Sequence, residues 1–193
     1  MASIEAQTLL SKGVSLSTLG RYDEAITLFD VAVKSDANYI EAYDRKGIAL
    51  VGAGKCVEAI DCFDKYIEID PRDIDVLNQK GALLNLLGRR EEAIACFNQA
   101  LSCHPWHYET LYNKGVALFL SGKYAEAVTC IEKVQEVSSS QPVSTLLRIC
   151  SEKIGRRGLN DTNSESPKKK PQDGDPNNSD VFRSPDEGSD ALT

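Results

Sequence analysis

Four glycines, Gly13, Gly47, Gly81 and Gly115, recur every 34 residues without an insertion or a deletion. Three further positions keep the same step: Gly20, Gly54, Gly88 and Gly122; Ala25, Ala59, Ala93 and Ala127; and Phe29, Phe63, Phe97 and Ile131. A fixed period of this length marks a stacked-repeat architecture, in which each unit buries its apolar face only against its neighbours. Within a period, Leu9, Leu10, Leu16 and Leu19 and then Ala25, Ile26, Phe29, Ala32 and Val33 each follow the spacing of one helical face, so the unit reads as two amphipathic helices, A and B. Gly13 and its counterparts fall inside helix A, where each costs about 0.8–1 kcal/mol relative to alanine. The compensation expected is a close approach of the two helices, with the small Ala25-type residue opposite the glycine. Gly20 and its counterparts stand just before Arg21, Lys55, Arg89 and Lys123, the place of a left-handed residue that ends helix A. Pro71 and Pro105 mark the turn into the next unit, where a missing N–H is tolerated.

With Gly, Tyr or Leu, Ala, Phe and Pro at set offsets in units of this length, the chain resembles the tetratricopeptide repeat proteins. The resemblance implies an all-α fold, a right-handed superhelical solenoid of four helix-turn-helix units, 6–39, 40–73, 74–107 and 108–141, with a C-terminal capping helix. The family's first large residue falls on Leu9, Tyr43, Leu77 and Leu111, and its third on Leu16, Leu50, Leu84 and Leu118. Its second, usually leucine, is Lys12, Lys46, Lys80 and Lys114 here. A lysine can lay its methylenes along the core edge and keep its ammonium in water, so the fold accommodates the change. Ala37 and Ser139 replace the unit-ending proline in the first and fourth units.

A stack of this kind needs a lid over its last apolar face. Residues 142–157 supply one: Pro142 at a helix start, then Val143, Leu146, Leu147, Ile149, Cys150 and Ile154 between polar residues. Residues 1–157 are thus expected to form one domain. From Gly158 to Thr193 the composition turns to Asn, Asp, Ser, Pro and Gly, which predicts a disordered acidic tail. Four basic side chains against eight acidic ones give the tail −4 of the chain's net −7. Lys168–Lys170 read as solvated charge, and their nearness to Val181 and Phe182 leaves open that the tail folds back into the groove lined by the A helices.

The first residues carry neither a basic segment nor an apolar core of a signal peptide, and no run approaches the roughly 18 apolar residues that span a bilayer. Cys62, Cys96 and Cys130 keep the 34-residue step on helix B. Equivalent points on neighbouring helices lie about 8–10 Å apart, beyond disulfide reach. The cysteines therefore read as small apolar residues in a reducing cytoplasm. A cytoplasmic protein without membrane contact is the expectation.

Cys103, His104 and His107 form the one metal-like cluster, but no second Cys/His pair completes a structural zinc site. A turn with Trp106 packed over the junction is the reading preferred to a metal enzyme. Phosphate-loop, dinucleotide and nucleophile-elbow motifs are missing from the sequence. Glu24, Glu58, Glu92 and Glu126 sit near helix B N-termini, where the dipole favours them. No catalysis, cofactor or metal is expected. With a pI near 4.9, the chain offers no basic stripe for nucleic acid.

The resemblance also implies that the A helices line a concave groove holding an extended or helical segment of another protein. Carried over position by position, its rim is Gln7, Glu41, Asp75 and Glu109. Next come Leu10, Asp44, Asn78 and Tyr112, then Ser11, Arg45, Gln79 and Asn113, then Val14, Ile48, Ala82 and Val116. Deeper lie Val51, Asn85 and Phe119, beside Leu86 and Leu120. The family's two-carboxylate clamp for acidic C-termini, built of Lys, Asn and Arg, would fall on Leu10, Val14, Arg45, Asp75 and Gln79, or one unit later on Asp44, Ile48, Gln79, Glu109 and Asn113. Neither register supplies it. An acidic edge over an apolar floor suits a partner segment with basic and apolar residues. The expected function is a non-catalytic protein-binding scaffold. The alternative is a homo-oligomeric self-assembly module acting through Val116, Phe119 and Leu120.

Overall fold

In a computed structural model, residues 3–137 and 140–164 are described, with side chains through Gly155. Among the described residues there are nine α-helices and no strand. The A helices are α1 (Ile4–Thr18), α3 (Ile40–Gly52), α5 (Ile74–Leu86) and α7 (Tyr108–Leu120). The B helices are α2 (Tyr22–Ser35), α4 (Cys56–Ile69), α6 (Arg90–Cys103) and α8 (Tyr124–Gln135), and α9 covers Gln141–Ser164. Each helix packs on the next in sequence, and α1 also meets α3 and α5 meets α7, which is the contact pattern of a solenoid.

The turns explain the strict period. Gly20, Gly54, Gly88 and Gly122 adopt φ of 74°, 76°, 79° and 74°. In the first turn the Gly20 N–H donates to the Ser17 carbonyl and the Arg21 N–H to the Leu16 carbonyl, both at 3.0 Å, and the other three turns repeat the arrangement. This is the Schellman closure, which a β-carbon at the glycine would strain. Asp73 caps α5 by accepting from the Val76 N–H at 3.1 Å, and Ser3 caps α1 the same way from Ala6.

Phe29, Phe63 and Phe97 are fully buried, with Leu50, Leu84 and Leu118 beside them. They also correct the expected partner of the mid-helix glycines. A β-carbon on Gly13, Gly47 or Gly81 would meet the ring of Phe29, Phe63 or Phe97 at 2.5 Å, and one on Gly115 would meet Ile131. One edge of the helix B aromatic ring abuts the glycine, so the glycine makes room for phenylalanine rather than for alanine.

Two of the four lysines at the family's second core position differ from expectation as well. Lys46 Nζ lies 2.6 Å from Asp30, and Lys80 pairs with Asp64, each on the preceding B helix. These side chains are largely covered, so each ammonium is held by a carboxylate rather than left in water. Exposed pairs Lys55–Asp23 (2.8 Å) and Lys123–Glu91 (3.0 Å) join successive B helices and contribute little on their own.

α9 covers the end of the stack: Val143 and Cys150 are buried, and Leu146 and Leu147 pack against Leu111, Ile131 and Val134. It starts one residue before the expected 142 and continues to Ser164, through residues 158–164 that composition assigned to the tail. The composition rule weighs burial, whereas a helix already nucleated on α8 can run on until a breaker, and the next proline is Pro167. Residues 165–193, the rest of the expected tail, lie outside the described residues.

Candidate functional site

Every fourth or third residue of an A helix returns to one face, and the contacts α1·α3 and α5·α7 bring those faces together. Between α3 and α5, Ile48, Val51, Gln79, Ala82, Leu83 and Leu86 enclose a hollow of about 340 Å³ with Phe63 at its base. Between α1 and α3, a second hollow of about 410 Å³ is lined by Val14, Ser17, Thr18, Tyr22, Phe29, Arg45, Ile48, Val51 and Gly52. Ile48 and Val51 belong to both, so the two form one continuous apolar trough. Leu86, 77% exposed, stands at its side with its apolar surface unused.

The acidic edge lies where α3 faces α5. Glu41 and Asp75 are exposed and Asp44 is half-buried. Burial pushes the Asp44 carboxyl above its ordinary value; Asp73, Asp75 and Glu41 push the same way, and Arg45, 3.6 Å away, opposes them. Asp73 is already engaged: its second oxygen accepts from the Tyr66 hydroxyl at 2.6 Å, and burial followed by that carboxylate raises the Tyr66 phenol well above its ordinary value. Asp44 thus holds a charge that the fold does not fully neutralise.

A raised folded-state value means that the folded protein takes up this proton more readily than the unfolded chain. Stability from Asp44 is present below the unfolded value and is lost as pH rises through the folded one. Asp44→Asn is therefore expected to raise the thermal midpoint at neutral pH, with the gain shrinking as pH falls and vanishing below about pH 3. Melting curves at the two pH values check this.

The remaining groove residues divide. Asn78 is buried, 4% exposed: its amide donates to Glu109 Oε1 at 3.0 Å, and the Asn113 amide donates to Asn78 Oδ1 at 3.0 Å. This chain ties α5 to α7, so Asn78 serves the stack and part of the Glu109 carboxylate is spoken for. Tyr112 packs on the cluster around Leu111, and Phe119 lies 5.5 Å from Tyr124, centroid to centroid. Val116 and Asn85 are half-buried. The open trough is thus built mainly by the first three helix pairs.

Ser17, Thr18, Tyr22, Gly52 and Leu83 line the trough without being among the groove positions expected from the sequence. Tyr22 opens helix B of the first pair and reaches across to α3, where a β-carbon on Gly52 would lie 2.5 Å from its ring. The signal was the break at position 52, glycine where the equivalent residues are Thr18, Leu86 and Leu120. At the other end, His107 shares a 2.7 Å hydrogen bond with Thr110, and Cys103 ends α6. No group of three His, Cys, Asp or Glu is placed to hold a metal ion among the described residues.

Fold and trough together define a helical solenoid built from helix-turn-helix repeats. Residues 10–74 and 87–139 match one family model for the tetratricopeptide repeat, and residues 62–95 match another. The chain belongs to the tetratricopeptide repeat family. No curated protein matches the sequence as a relative. Among solved structures, a MamA protein superposes with a TM-score of 0.75 at 18% identity, over 82% of this chain and 87% of its own. MamA from Desulfovibrio magneticus RS-1 gives 0.70 at 16%, over 86% and 100%. A tetratricopeptide repeat protein from Parabacteroides merdae gives 0.75 at 21%, over 80% and 62%. At these identities the likeness is one of fold. No described helix is long and apolar enough to cross a membrane.

Proposed function

We propose that this protein is a non-catalytic protein-interaction scaffold whose trough over α1, α3 and α5 holds a partner segment carrying basic and apolar residues. The observation that carries this reading is the continuous apolar floor at Ile48 and Val51 beside an acidic edge that Arg45 alone among Glu41, Asp44, Arg45 and Asp75 opposes. Opposite charge steers the encounter, and burial of apolar side chains holds the complex. A lysine or arginine placed near Asp44 would relieve its strained charge and favour its ionised form. Six thiols, none in a disulfide, suit a reducing compartment, and the cytoplasm is the location they support.

The test is capture from source-cell lysate by the full chain and by two variants, Glu41→Lys with Asp75→Lys, and Leu86→Glu. All three positions are exposed, so stability should change by no more than about 0.5 kcal/mol. The expected result is a protein held by the wild type and weakened about tenfold or more by each variant. An identical set of captured proteins from all three would overturn the reading. Self-assembly through Val116, Phe119 and Leu120 ranks second, because Val116 and Phe119 are half-buried and Leu120 alone of the three is exposed. Light scattering that shows a monomer at high concentration would remove it.

A further inference from the structure

The stack has a further hollow, away from the trough, where its own periodicity breaks. At the junction of the second and third helix pairs two polar contacts close the space between α4, α5 and α6. Lys80 pairs with Asp64, and the Gln99 amide donates to the Pro71 carbonyl at 3.0 Å. One period later, Asn98 stands in place of Asp64 and Lys133 in place of Gln99, while Lys114 and Pro105 keep their places. Both closures are lost. Between α6, α7 and α8 there is instead a cavity of about 370 Å³, walled by Leu101, Leu111 and Leu118 and bordered by Lys114, Lys133 and Glu126. Lys46 and Lys80 have aspartate partners, whereas Lys114 makes no ion pair among the described residues. Lys133, which also borders the cavity, has its Nζ 5.5 Å from the centre of the Trp106 ring, and Trp106, next in sequence to the lining residue Pro105, is 57% exposed.

Two lysines bordering a hollow that also has apolar walls call for a carboxylate next to an apolar side chain. Such a sequence is present in this chain: Asp180, Val181 and Phe182, followed by Arg183. We propose that the cavity between α6, α7 and α8 is a docking site for the chain's own segment Asp180–Val181–Phe182. Asp180 answers Lys114 and Lys133, Val181 and Phe182 enter the hollow against Leu101 and Pro105, and Arg183 answers Glu126.

The tether permits it. Ile154 borders a hollow with Tyr124, Ala125 and Glu126, so α9 at that point is level with the start of α8 and with the edge of the cavity. The remaining helix to Ser164 advances about 15 Å. Residues 165–179 then span up to about 50 Å when extended. A tethered segment competes at an effective concentration of order millimolar, which favours it over a free partner of the same chemistry. The proposal is independent of the trough over α1, α3 and α5.

Trp106 is the sole tryptophan and reports on the site. The full chain carrying Asp180→Lys and Phe182→Ala is titrated with a synthetic peptide of residues 173–186 while Trp106 emission is followed. The expected result is a saturable change in this emptied chain. Adding Lys114→Glu, or the milder Lys114→Gln, weakens the peptide about tenfold or less respectively. The chain with its own segment intact resists the peptide until about millimolar concentration. Melting curves of the emptied chain with and without the Lys114 substitutions confirm equal folding. No emission change in the emptied chain overturns the proposal. So does equal binding to the intact and emptied chains, which would mean an open site, and so does binding indifferent to both Lys114 substitutions.

Discussion

Phe97→Ala is expected to lower the free energy of unfolding by about 3–5 kcal/mol, against a total of about 5–15 kcal/mol for a domain of ordinary stability. Phe97 is fully buried and its ring fills the space between α5 and α6, lying on Gly81. Truncation removes the burial of the ring and leaves a void that the helices cannot close. The two backbones are already near each other at Gly81, and the Schellman turn at Gly88 holds them. A solenoid passes such a loss to its neighbours, because each pair is stable only through its interfaces. Urea unfolding followed by far-UV circular dichroism would show a large fall in the midpoint. A fall below about 1 kcal/mol would mean that the ring is replaced by collapse of the surrounding helices.

Gly81→Ala should change sign with its background. In the wild type the new β-carbon would lie 2.5 Å from Phe97 Cε1 and 2.9 Å from Cδ1 and Cζ. The ring has no free space to enter, so overpacking costs about 1–3 kcal/mol, partly offset by the gain of about 0.8–1 kcal/mol from replacing glycine inside a helix. In the Phe97→Ala protein the clash is gone and the helix gain remains, so the same substitution becomes neutral or stabilising. The four proteins form a double-mutant cycle whose coupling energy measures the ring–glycine contact directly. Equal effects of Gly81→Ala in both backgrounds would show that the glycine is there for some other reason.

Much of this was legible before any coordinates. Glycine at Gly20, Gly54, Gly88 and Gly122 implied left-handed turns, and their φ values agree. Fold and family likewise follow from the period. The helix A glycines were correctly read as points of close approach, but their partner was misjudged. The alanine and phenylalanine of helix B are only four residues apart on one helical face, and periodicity cannot say which of the two points at the glycine. The groove positions were carried over by their place in the helix. That placed Ile48, Ala82 and Gln79 at the hollow but treated Asn78 as one more open residue, although its amide is bonded to both Glu109 and Asn113.

The sequence by itself determined the helix pairs, their register, the turn glycines and the excess of acid over base, because these depend on local backbone geometry and on patterns repeated within one chain. Tertiary structure decided which equivalent residues do equivalent things. Lys46, Lys80 and Lys114 occupy the same place in the period, yet two are paired and the third borders a cavity, since the outcome depends on what the preceding B helix offers 16 residues earlier. Tyr22 reaches Gly52 because two helices from different pairs meet there. Contacts of this kind are set by packing between units, where a single side chain on the neighbour closes a hollow or leaves it open.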